Sequence, residues 1–196
     1  MAELQTRWPA VVLTVQPTNS PLVAAALTRG DLDLGFVEGT TRQPGLHYER
    51  LLFDELVAVR GATPAGPPAA QLPLPEALAH QLVLHEAGSG TLEVLEAALQ
   101  AHGIALASLP APIYCANTEA IKGRLQVTAN TPGFISRRAL VAELVSGQLE
   151  EAPIQGLQLA RKLLAVWRDA AALPEAARQF LAFCRERTGF IRVATT

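Results

Sequence analysis

The feature that most constrains this chain is a strand-helix-strand pattern that appears twice, on either side of a proline-rich break. The first occurrence starts at Ala10 to Val15, a short apolar, β-branched run that reads as a strand. Asn19, Ser20 and Pro21 then supply a cap and a first-turn proline for a helix reaching Thr28, and Gly30 ends it. Asp31-Leu32-Asp33 leads into Leu34-Gly35-Phe36-Val37, a buried-strand pattern that stops at Glu38-Gly39 with a polar loop to Pro44. Together these make a βαβ-like unit. Leu51 to Val59 adds a strand, and Gly61 to Pro75, with Pro64, Gly66, Pro67, Pro68, Pro73 and Pro75, reads as a loop or linker.

Beyond the break the pattern restarts. Leu82-Val83-Leu84 is a strand, Gly88-Ser89-Gly90-Thr91 a turn, and Leu92 to Ala101 a helix with Leu92, Leu95 and Leu99 on one face. Ile113 to Ala116 is a strand, Asn117-Thr118 caps a helix through Leu125, and Phe134-Ile135 is a short strand. Ser136 reads as the cap of a helix ended by Gly147. Lys162 to Arg168 is an apolar strand, and Leu173-Pro174 starts a helix whose expected buried stripe is Ala176, Phe180, Phe183 and Cys184. No tandem sequence repeat accompanies the restart.

Composition narrows the functions. With 49% hydrophobic and 17% charged residues the chain buries enough apolar surface to fold, and its 196 residues suit one large domain or two small lobes. Sixteen Lys plus Arg against eighteen Asp plus Glu leave a net charge of −2 and no basic block, so these residues alone make a poor nucleic-acid binder. Cys115 and Cys184 are too few for a disulfide framework and lack zinc-site spacing. Met1 to Pro9 has no apolar run, so neither a signal peptide nor a membrane anchor is expected there, and a cytoplasmic location is.

In order and spacing the segments resemble the effector-binding domain of LysR-type transcriptional regulators. The resemblance rests on Arg7-Trp8-Pro9-Ala10-Val11, on Gly30-Asp31-Leu32-Asp33-Leu34-Gly35-Phe36-Val37-Glu38-Gly39 and on Asp54-Glu55-Leu56-Val57-Ala58-Val59. Gly88-Ser89-Gly90-Thr91, Asn117-Thr118-Glu119-Ala120-Ile121-Lys122, Ser136-Arg137 and Gly147-Gln148-Leu149 continue it. It implies an α/β, two-lobed, periplasmic-binding-protein-like (type II) fold. Each lobe is a mixed sheet flanked by helices, with two crossovers near Ala58 to Pro64 and Gly156 to Arg161. Lobe I would be 1–62 plus 162–196 and lobe II 63–161, with a small effector bound between them. Dimers or tetramers are expected on the same ground.

The resemblance also implies two departures. Family members carry a first strand, a linker helix and a winged helix-turn-helix before the segment matching Met1-Ala2-Glu3-Leu4-Gln5, so DNA contact is expected only through residues missing from this chain. Ala129-Asn130-Thr131-Pro132 stands where the family has a Gly-x-Gly turn lining the cleft, which makes Asn130 and Thr131 candidate effector contacts.

Gly88-Ser89-Gly90-Thr91 before a helix offers backbone N–H groups and two hydroxyls at the positive end of a helix dipole, a site for a carboxylate, phosphate or sulfate. The plainer alternative is a turn with Thr91 as N-cap. The motif is neither a nucleophile elbow nor a phosphate-binding P-loop. Thr118 is a candidate for the same cleft, with Lys122 one turn on to balance an anion, and simple capping is the equal alternative. Asn19 and Ser20 are candidate contacts from lobe I, though capping explains both. Asp31 and Asp33 are expected to be solvated. His80 and His85 lack the i, i+4 spacing of zinc hydrolases, so no metal and no cofactor is expected.

The expected function is therefore effector sensing: a small anionic metabolite binds and shifts how paired DNA-binding domains sit on DNA. A solute-binding receptor, an enzyme and an interaction-only domain on the same fold are the alternatives. No nucleophile with base, carboxylate pair or metal set stands at catalytic spacing, so an enzyme is not expected.

Overall fold

The computed structural model describes residues 2–38, 42–62, 71–128, 131–169 and 172–188. In chain order the elements are α1 (Ala2–Arg7), α2 (Ser20–Arg29), β1 (Gly35–Val37), β2 (Leu46–Gly61), α3 (Leu74–Leu78), β3 (Val83–His85) and α4 (Gly90–Ala101). After them come β4 (Ile113–Cys115), α5 (Thr118–Gln126), β5 (Gly133–Ser136), α6 (Val141–Ser146), β6 (Leu149–Glu151), β7 (Leu159–Arg168) and α7 (Glu175–Thr188). The chain divides into two compact units, residues 1–53 with 162–196 and residues 54–161. β2 and β7 are the strands on which the chain leaves the first unit and returns to it.

In unit 1, α2 forms where the cap signals place it. The Asn19 side chain accepts from the Leu22 amide, and Gly30 closes the helix at φ 85°, a conformation that suits glycine. Its apolar face, Val23, Ala24 and Leu27, packs with Val37, Leu46, Leu164 and Val166. β1 pairs antiparallel with β7, Phe36 opposite Ala165. α7 is held to α1 by a two-point Arg7–Glu186 ion pair and an Arg187–Glu3 contact, and Trp8 meets Phe183 edge to face at 6.1 Å.

Two expectations fail in this unit. Ala10 to Val15 forms no strand: among the described residues it joins no ladder, and Val12 is 92% and Val15 67% exposed. β-branched residues favour a pleated surface, yet a strand needs a neighbour to bond to. The α7 stripe is shifted too. Leu181 is its buried residue, Phe180, Phe183 and Cys184 are half-buried, and Ala176 is exposed.

In unit 2, β5 pairs antiparallel with β2 (Ala58 opposite Phe134) and parallel with β3, and β4 adds a further parallel strand beside β3. β6 pairs antiparallel with the end of β2. Leu92, Leu95 and Leu99 of α4 are buried as the spacing predicts, and they join Leu56, Leu82, Leu84, Phe134 and Leu159 in one core. Ile121 and Leu125 of α5 pack with Val57, Val59, Val83 and Ile135. Gly61 permits a close approach, since a Cβ there would lie 2.6 Å from the Leu125 carbonyl oxygen.

Within the proline-rich break, residues 63–70 lie outside the described residues, but Pro73 and Pro75 open the short α3, which the turn-like composition concealed. Ser136 is not a helix cap. It ends β5, a 3-10 turn follows over Arg137–Ala139, and α6 starts only at Val141 before Gly147 closes it at φ 68°.

Candidate functional site

Parallel pairing of β3 and β4 sets the site. Their C-terminal ends lie side by side, with His85 opposite Cys115 and the Glu86 amide donating to the Cys115 carbonyl at 3.0 Å, and each strand feeds a helix from that end. The N-termini of α4 and α5 thus share one edge of unit 2, which is where ligands bind in open α/β sheets.

Gly88 turns the chain at φ 82°, and Ser89, not Thr91, is the N-cap of α4: its hydroxyl accepts from the Leu92 amide at 3.2 Å. The Ser89 amide donates to the Glu86 carbonyl. Among the described residues, the amides of Gly90 and Thr91 have no partner, although both residues are buried. First-turn amides are the groups that a bound anion satisfies.

Beside them lies a polar network that the sequence did not announce. The Arg161 guanidinium donates from Nη1 to the Thr91 hydroxyl at 2.6 Å and from Nε to Asp54 at 2.8 Å. The Ser136 hydroxyl donates to the other Asp54 oxygen at 2.7 Å. The Arg161 and Asp54 side chains are 10% and 7% exposed, so this is a buried pair in which each carboxylate oxygen accepts a hydrogen bond. Asp54 and Arg161 are also the first and last residues of unit 2, so the pair ties together the strands on which the chain enters and leaves it. Asp54 offsets the charge of Arg161, which leaves the guanidinium an oriented donor at the start of α4.

His85 ends β3 within this neighbourhood. Burial pushes its imidazole below the ordinary histidine range, and the positive charge of Arg161 pushes it further the same way. A lowered folded-state pKa means that the unfolded chain binds the proton more readily. The stabilising share of neutral His85 is therefore whole above about pH 6.5 and is lost as the pH falls through the lower folded-state value. Urea unfolding between pH 5 and 8 is expected to show stability declining with acidity, and a flatter decline in His85→Gln; equal slopes would exclude His85 as a source.

The remaining expected residues divide. Thr118 is the half-buried first residue of α5, capped by Asn117, and so stands at the same strand ends as Ser89 and Thr91. Lys122 is not available to a ligand: it is buried and paired with Glu119 at 3.1 Å and Glu143 at 3.0 Å. These two partners hold the Lys122 ammonium above its ordinary range against the opposing effect of burial. Thr131 is buried, but it precedes Gly133, which sits opposite Val83 in parallel register, so it stands at the start of the parallel strands and not beyond their ends. The structure does not bring it to Ser89 and Thr91. Asn130 lies outside the described residues.

Asn19 is used as the α2 cap, and the Ser20 hydroxyl bridges the Glu38 backbone, donating to its carbonyl at 3.2 Å and accepting from its amide at 3.3 Å. Asp31 and Asp33 are exposed, as expected. Burial raises the Cys184 thiol above its ordinary range, away from reactivity. Among the described residues no group of three or more His, Cys, Asp or Glu could hold a metal ion, and no helix is long and apolar enough to cross a membrane.

Comparison with known proteins places this geometry. The family model of the LysR substrate binding domain matches residues 1–189. The phosphonates import ATP-binding protein PhnC of Anaeromyxobacter dehalogenans is 33% identical over 91% of this chain. The uncharacterized HTH-type transcriptional regulator YeiE of Escherichia coli is 30% identical over 90% of it. This chain spans 35% and 59% of those two proteins.

Among solved structures, the CcmR regulatory domain of Synechocystis PCC6803, in complex with 2-PG, superposes with a TM-score of 0.81 at 19% identity, covering 95% of this chain and 88% of that one. A Clostridium perfringens protein described as a phosphate ABC transporter substrate-binding protein, with bound phosphate, gives 0.74 at 16% identity, covering 93% and 84%. The mixed α/β fold is thus periplasmic-binding-protein-like. The chain belongs to the LysR substrate binding domain family.

Proposed function

We propose that this chain is the effector-sensing domain of a LysR-type transcriptional regulator and that its effector is a small anionic metabolite held at the N-terminal end of α4 by Gly88, Ser89, Gly90 and Thr91, with Thr118 beside them. The observation that carries the anionic reading is the pair of buried residues, Gly90 and Thr91, whose amides have no partner among the described residues, next to the Arg161 guanidinium on Thr91 Oγ1. First-turn amides beside a guanidinium favour an oxyanion. The ligands of the fold neighbours, 2-PG and phosphate, are consistent with that chemistry.

Units 1 and 2 serve in this reading as the two lobes of the receptor, and Asn19 and Ser20 are the contacts proposed from unit 1. Assembly as a dimer or tetramer, residence in the cytoplasm and DNA contact through a separate domain belong to the same proposal. A solute-binding receptor is the second reading, favoured by the phosphate-bound neighbour and by the transport name of one relative.

Thermal unfolding against inorganic phosphate, methylphosphonate, sulfate, sugar phosphates and small carboxylates tests the site. A ligand at 100 times its Kd adds about 2.7 kcal/mol, roughly 5–10 °C for a chain of this size. The expected result is a stabilising anion whose effect is lost in Thr91→Ala and weakened in Ser89→Ala. A stabilising anion that is indifferent to both substitutions would move the site elsewhere.

A further inference from the structure

The described residues of unit 2 line a cavity of about 210 Å³ that shares no lining residue with the start of α4. Its floor is apolar: Leu56, Ala58, Phe134, Ile154 and Leu159 are buried members of one core, and Leu157 packs against them. Its rim is charged, with Glu55 of β2, Arg137 just beyond β5 and Glu151 at the end of β6. A cavity of about 150 Å³ holds benzene, so this one has room for a molecule of about ten heavy atoms.

The three rim charges are not held alike. Arg137 grips Glu151 at two points, from Nε to one carboxylate oxygen at 2.9 Å and from Nη2 to the other at 2.8 Å, the fork geometry that fixes a guanidinium. Glu55 accepts from Arg137 Nη1 at 2.7 Å through one oxygen, and its side chain is 57% exposed. An exposed one-point pair is worth little in water, so the contact between Arg137 and Glu55 is the one a ligand can enter. What enters must give Nη1 an acceptor and Glu55 a donor. Because the two protein atoms are 2.7 Å apart, the ligand's two groups must sit close together as well.

We propose that this cavity binds an α-amino acid with a small apolar side chain. The carboxylate takes Arg137 Nη1, the ammonium takes Glu55, and the side chain lies on the apolar floor. A lone amine or a lone carboxylate supplies half of the exchange, and an ω-amino acid holds its charges too far apart for it. The rim sets one cation against two anions, which also favours a ligand that brings an ammonium group. This site is separate from the anion site at α4 and does not depend on it.

Isothermal titration of the whole chain with alanine, valine and leucine tests the proposal, with isopentylamine, isocaproate and ε-aminocaproate as the partial ligands. Valine or leucine is expected to bind about tenfold or more tightly than any of the three partial ligands, and Arg137→Gln and Glu55→Gln are each expected to weaken it about tenfold. Glu55→Gln keeps the test valid if Arg137→Gln fails to fold, since it alters an exposed side chain. Amide resonances of Leu56, Ala58 and Leu157 are expected to shift on binding. The proposal is overturned if no amino acid binds, if a partial ligand binds as tightly as the amino acids, or if the shifts fall on Gly90 and Thr91 instead.

Discussion

Arg161→Ala is expected to lower the unfolding free energy by about 3–5 kcal/mol, because among the described residues it leaves the buried Asp54 carboxylate with the Ser136 hydroxyl alone to satisfy it. For a chain of this length the shift in Tm is roughly 6–20 °C. Arg161→Lys keeps the charge but not the two-pronged geometry that reaches both Asp54 and Thr91, so it is expected to fall between wild type and alanine. Pairing Arg161→Leu with Asp54→Leu removes both charges and is expected to recover most of the loss. Differential scanning calorimetry of the four proteins checks this, and a single Arg161→Ala change costing under about 1 kcal/mol would show that the pair is solvated like a surface bridge.

Phe134→Ala is the second large effect. Phe134 heads the fully buried side chains by volume at 1% exposure, on the strand that joins β2 to β3, and it packs in the core with Leu56, Leu84, Leu95 and Leu99. Removing the ring loses its transfer free energy and leaves a cavity that rigid neighbouring strands fill poorly, at a cost of about 3–5 kcal/mol. Urea titration is expected to show the midpoint falling with little change in slope. A cost near 1 kcal/mol would mean that α4 collapses onto the vacated space.

Local chemistry made part of this molecule legible in advance. Asn19 and Asn117 each cap the helix that follows by accepting the amide three residues on, and Gly30 and Gly147 end helices in the left-handed region, although at α4 the cap is Ser89 and not the expected Thr91. All of that is decided within one turn of chain. The apolar stripe of α4 was equally visible, since Leu92, Leu95 and Leu99 share a face whatever they pack on.

What stayed hidden depends on partners distant in sequence. Ser136 resembles a cap until Asp54, 82 residues away, takes its hydroxyl. Arg161 is 70 residues from Thr91 and 107 from Asp54, and nothing in its own neighbourhood marks it. Ala10 to Val15 has the composition of a strand and joins no ladder among the described residues. Thr131 is itself expected from the sequence to line the effector site, yet the parallel register of β5 and β3 sends it to the opposite end of the strands.

The central claim is that an anion binds to the first turn of α4. Its most direct test is a titration of the isotopically labelled chain with inorganic phosphate, or with the most stabilising anion of the panel, while the backbone amide resonances are followed. The account predicts saturable shifts centred on Gly90 and Thr91, absent in Thr91→Ala. Saturable binding that leaves those two amides unmoved and shifts residues elsewhere would contradict it.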